Sequence, residues 1–184
     1  FSKANINNKS DFFKSLSKYE TPPYKAFYFL KGKRELVNLR LRRSKISNFK
    51  IKKLQNIIFK ISLVPSVSFM GISGALSMKN CDIADDMDIF IIAKQNLVWF
   101  TRLILVILLI FMKAYRNKND KDVKDKVCLN FIIGDNTLGF SKNKQNMYIA
   151  HEIAQLVPVF DKNNTYKDFI NSNKWILQFL PNSL

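Results

Sequence analysis

The chain has 184 residues, 47% of them apolar and 13% aromatic, which argues against a disordered segment and provides for one domain with a sizeable core. Its formal charge of +16 is concentrated in residues 1–60, where sixteen Lys and Arg face three acids. Two cysteines, Cys81 and Cys128, argue against a disulfide framework and show no metal-binding spacing, so a reducing cytoplasm is the expected setting. The basic N-terminal third suits a surface that meets nucleic acid or another polyanion; solvated lysines account for it equally well.

The first residue is Phe1, so the chain reads as a piece of a longer protein, and no signal peptide is recognisable. Residues 1–31 form an N-terminal appendage, with a polar stretch at Asn5–Lys9, a short helix at Asp11–Tyr19 and a break at Thr21-Pro22-Pro23. Ala26–Leu30 has strand propensity. The main domain spans 32–184. A helix is predicted over Lys33–Lys45, and a second, capped by Ser47, runs to about Leu63 with Phe49, Leu54, Ile57, Ile58 and Ile61 on its apolar face. Lys50, Lys52, Lys53 and Lys60 fall outside that face. Pro65 ends the helix and delivers a buried strand, Val67–Ile72.

Leu76–Asn80 forms one or two helical turns, and a second apolar strand follows Asp86. Asn96 is the expected cap of a helix from Leu97 to about Tyr115. Its ten-residue apolar run, Leu103–Met112, is half of what a membrane span of about 20 residues needs, so a buried core helix is expected. Anchoring at a membrane surface by this run is the remaining reading. After a charged loop, Val127–Ile133 is a third strand ended by Gly134-Asp135-Asn136. Ser141 caps a helix carrying Met147, Ala150, Ala154 and Val157, which Pro158 ends; Thr165 opens the last helix with Asp168 in a capping box. The fold class is α+β: a small mixed sheet covered by helices, with helical additions at both ends.

The chemistry centres on Ser73-Gly74-Ala75 and on Asp86-Met87-Asp88, separated by ten residues. Residues two apart on a strand share a face, so both carboxylates project to one side while Met87 and Ile89 enter the core. A glycine turn lets a phosphate approach backbone N–H groups, and paired acids hold a divalent cation. His151, with Glu152 beside it, is read as a structural histidine; Trp99 and Trp175 are read as core residues. Nothing makes Cys81 a nucleophile.

These two motifs resemble the signature of the polymerase-beta-like nucleotidyltransferase superfamily. Phe29–Glu35, Thr101-Arg102-Leu103, Cys128–Phe131, Ala150–Gln155 and Trp175–Asn182 extend the likeness to bacterial nucleotidyltransferase-domain proteins of uncharacterised activity, over about 27–182. The segment before Phe29 resembles a winged-helix remnant. The resemblance implies transfer of an NMP group from an NTP such as ATP to an unknown acceptor. Asp86 and Asp88 would be catalytic and would hold two Mg²⁺ ions, and Ser73, Gly74 and the Ala75 amide would hold the triphosphate. The chain departs from the pattern twice. Ala75 stands where the family has Ser, and Asn130, the remaining metal-ligand candidate, where it has a third carboxylate. A catalytically weak or inactive member that binds nucleotide or nucleic acid is the alternative.

Overall fold

In the computed structural model, residues 27–183 are described. The tail, helix and winged-helix remnant expected before Ala26 lie outside them, as does the boundary of an appendage over most of 1–31. The strand expected at Ala26–Leu30 amounts to single bridge residues, Phe27 and Leu30.

Between Lys33 and Val64 the sequence has neither proline nor glycine, and one continuous helix, α1 (Glu35–Ser62), forms where two were expected. Ser47 does not cap a second helix. It is buried mid-helix and its hydroxyl accepts the N–H of Cys81 at 3.0 Å, a tertiary role that needs no helix break. Four strands follow: β1 (Val67–Ile72), β2 (Met87–Ala93), β3 (Val127–Gly134) and β4 (Val157–Asp161), in the order β3-β2-β1-β4. β1 is antiparallel to both β2 and β4, whereas β2 and β3 are parallel and are joined by the crossover helix α3 (Val98–Phe111). The expected small mixed sheet with helices is the observed architecture.

Alternation along the strands divides the core between two faces. Met70, Ile72, Ile89 and Ile91 join Leu54, Ile58 and Ile61 of α1 and Leu105 and Leu109 of α3. Phe69, Phe90 and Ile92 point the other way. There they meet α4 (Met147–Ala154), α5 (Thr165–Ser172) and the 3-10 turn Lys174–Gln178. Each fully buried aliphatic side chain contributes roughly 1.5–3 kcal/mol.

Three other expectations change. α4 is capped by Asn146, which accepts the N–H of Ile149, and Val157 belongs to β4, an edge strand where Pro158 is tolerated. Thr165 makes no capping box: its hydroxyl donates to the Lys162 carbonyl, and Asn164 occupies the cap in a left-handed conformation. Finally, α3 buries only Thr101, Leu105 and Leu109; Trp99 and Phe111 are each 82% exposed, so Trp99 is not core. The helix lies against one sheet face and, among the described residues, no layer covers its far side, which is why an apolar run produced one buried stripe. Among the described residues no helix is long and apolar enough to cross a membrane.

Candidate functional site

β1 delivers the chain to Ser73, and because β2 is its antiparallel partner, the end of β1 lies beside the start of β2. The Ser73 N–H donates to the Asp88 carbonyl at 3.1 Å. Gly74 follows at φ +61°, and a Cβ there would lie 2.5 Å from Asp88 Oδ2. Backbone conformation and close approach both demand glycine. The short helix α2 (Gly74–Ser77) is closed by Ser77 Oγ on the Gly74 carbonyl (2.8 Å) and by the Asn80 N–H on Ala75 (2.9 Å). Met87 and Ile89 are fully buried, and half-buried Asp88 and Asp86 lie on the other side of the strand.

β3 supplies a third wall. Its parallel register sets Cys128 against Asp88, and the carboxylates of Asp86 and Asp88 and the Cys128 sulfur lie within 4.8 Å of one another. Arg116 is positioned by backbone pairing to the same strand: its N–H donates to Val127 (3.1 Å), and Tyr115 bridges Val127. Its guanidinium lies 2.7 Å from Asp86 Oδ2, an ion contact without an aligned hydrogen bond, and 3.4 Å from Cys128 Sγ.

The remaining candidates are dispersed. The register shift between Leu129 and Phe131 leaves Asn130 without a strand partner, and it is exposed, on the wall of a pocket that also includes Arg116 and Cys128. Asp135 is at the far end of the sheet, next to the Ala93–Gly134 pair, where its carboxylate accepts the Gln95 N–H at 2.7 Å. Glu152, on α4, is close enough to Asp88 to feel its charge. His151 Nδ1 pairs with the Gln155 amide one turn on, 3.0 Å away.

Burial, and next the Asp86 charge, push the Asp88 carboxyl up; a hydrogen bond with Cys128 and the Arg116 charge offset part of this. Glu152 is raised by burial and then by Asp88, and Tyr148 by Glu152 first, then burial and Asp88. Burial also raises Cys128 against the hydrogen bond from Arg116, so it stays a neutral thiol; Cys81, buried beside Asp85, is pushed up to about 11.

Ser73 Oγ and Glu152 Oε2 are buried with no hydrogen-bond partner among the described residues, and Asp86 Oδ2 has only its ion contact with Arg116, so this corner has oxygen ligands to spare. Two hard carboxylate oxygens suit Mg²⁺, which commonly takes one or two protein acids and completes its shell with water and phosphate. The protonated thiol of Cys128 is a poor ligand for it. The acid pair therefore fits a magnesium ion, and Asp86 and Asp88 are the residues that would hold it.

Sequence reasoning missed Cys128, Arg116 and Lys50. Lys50 is 1% exposed, and its ammonium donates to the carbonyls of Ile83 (3.2 Å) and Asp85 (2.7 Å) and to Asp125 Oδ1 (2.8 Å). It clamps the approaches to β2 and β3 together. Other basic residues of α1 serve the same loop: Arg40 donates to the carbonyls of Met78 and Lys79, and Arg42 and Arg43 pair with Asp82. The only hint in the sequence is the recurrence of acids at 82, 85 and 125 opposite a basic helix.

Neither a protein-family model nor a curated protein matches the chain. Among solved structures, a crystal structure of a toxin–antitoxin with AMP-PNP is similar at a TM-score of 0.42 and 15% identity, over 68% of this chain and 88% of that one. A protein from Sulfolobus solfataricus, provisionally described as a nucleotidyltransferase, is similar at a TM-score of 0.35 and 14% identity, over 73% and 95% of the two chains. At this distance neither neighbour's chemistry transfers to this protein, and its own site has to carry the functional reading.

Proposed function

We propose that this protein is a magnesium-dependent nucleotidyltransferase of the polymerase-beta-like kind, moving an NMP group from an NTP to an acceptor. The observation that carries this reading is the packing of the Gly74 turn on Asp88, which joins a phosphate-accepting backbone to an acid pair from a different strand. Asp86 and Asp88 hold the metal, and Ser73, Gly74 and the Ala75 N–H receive the β- and γ-phosphates. Bound Mg²⁺ supplies neutralisation of the charge on the transferring phosphate and on the leaving pyrophosphate. The chain's own residues orient. The turn fixes the triphosphate against the acids, and Arg116 limits repulsion between the two carboxylates before substrate arrives.

The test is incubation with labelled NTPs, Mg²⁺ and pools of RNA and protein. Labelled product that disappears in Asp86→Ala and Asp88→Ala is the expected outcome; equal labelling by wild type and variants would overturn the reading.

One observation favours a second reading, a fold member that binds nucleotide and turns it over weakly or not at all. The group beside the acids on β3 is a thiol rather than a third carboxylate, which leaves the metal site one negative charge short. Magnesium-dependent binding of a non-hydrolysable NTP with no labelled product would select it.

A further inference from the structure

We infer that the pocket on the β3 side of the acid pair binds a phosphate group carried by the acceptor. This inference rests on the nucleotidyltransferase reading. The pocket has a volume of about 340 Å³, and Arg102, Tyr115, Arg116, Lys118, Cys128 and Asn130 are among the residues that line it.

 Three cations line this pocket beside the acids, and no carboxylate does.

Arg116 is engaged with Asp86, but Arg102 and Lys118 have no acidic partner among the described residues. Unpaired cations converging on a concavity raise its potential, and a guanidinium fork matches two phosphate oxygens at once. Asn130 adds an amide that can donate a hydrogen bond, whereas a carboxylate there would repel the same ligand.

Topology says which phosphate this is. β2, which carries Asp88, lies between β1 and β3 in the sheet. The Gly74 turn leaves β1 on one side of Asp88, and Cys128 and the cationic pocket lie toward β3 on the other. Phosphoryl transfer places the attacking and leaving oxygens roughly in line, on opposite sides of the phosphorus. With the triphosphate on the Gly74 turn, the cationic pocket is on the acceptor's side.

The test uses the full chain, with Arg102→Ala/Lys118→Ala as the disrupting variant and Arg102→Lys as the charge-preserving one. Two probes are titrated, a short single-stranded oligoribonucleotide and ribose 5-phosphate, and Mg²⁺-dependent binding of a non-hydrolysable NTP is measured alongside. Loss of two charge-assisted contacts is expected to weaken whichever probe binds by roughly 10- to 100-fold, with a smaller loss in Arg102→Lys, which keeps the charge and gives up the fork. NTP binding stays unchanged. Binding of the oligoribonucleotide alone, with a steep salt dependence, identifies a polynucleotide acceptor; binding of ribose 5-phosphate identifies a small one. The inference is overturned if neither probe binds wild type, if the double variant binds the probe as wild type does, or if it loses the NTP instead. Absence of Mg²⁺-dependent NTP binding in wild type would count against the nucleotidyltransferase reading, a separate readout.

Discussion

Gly74 concentrates two constraints on one residue. Its φ of +61° strains any side chain, by about 1–2 kcal/mol, and the methyl of Gly74→Ala would collide with Asp88 Oδ2. The expected result is a stability loss of about that size together with at least tenfold weaker Mg²⁺-dependent nucleotide binding, because Asp88 must move to make room. Thermal unfolding and nucleotide titration of the same variant check both halves. Stability loss with full binding would show that the turn does not set the position of Asp88. This part of the site was legible in the sequence, since glycine after a buried strand and acids two apart have local meanings. Cys128 and Arg116 were not, because their place beside the acids depends on how β3 pairs with β2, and pairing register is not written within either strand.

At the scale of elements, strands β1, β2 and β3 were readable because each is a short apolar run bounded by turn residues. β4 was hidden by Pro158, which suits an edge strand as well as it ends a helix. The single long α1 was hidden by Ser47, whose capping chemistry is instead used on Cys81. In α3, composition could not distinguish a helix buried all round from one buried along a stripe. The exposure pattern predicts unequal costs. Leu105→Ala, at a fully buried position, should lose about 2–5 kcal/mol in chemical denaturation, and Trp99→Ala should stay within about 0.5 kcal/mol of wild type. A large loss at Trp99 would mean that the helix face is covered in solution.

Across the molecule, much of the positive charge of α1 is directed inward, onto the loops that carry the site. Lys50 and Lys53 both reach Asp125, at 2.8 and 3.1 Å, and Lys50 also holds the carbonyls of Ile83 and Asp85. Burial pushes the Asp125 carboxyl up, but the hydrogen bonds from Lys50 and Lys53 outweigh it and leave it below the usual aspartate range. A carboxyl lowered by folding contributes stability that is complete above its unfolded pKa and is lost as pH falls through the folded one. Stability should therefore decline from about pH 4 downward as Asp125 takes up its proton. Asp88 and Glu152, raised by burial, act in the opposite sense, so the contrast with a variant isolates the clamp better than the wild-type curve alone. Lys50→Met, which leaves Asp125 with Lys53 only, should lower stability by about 3 kcal/mol at neutral pH and flatten the acid-side decline. Urea unfolding of both proteins across this pH range is the measurement; parallel curves would show that the Lys50–Asp125 pair does not couple α1 to the loops before β2 and β3.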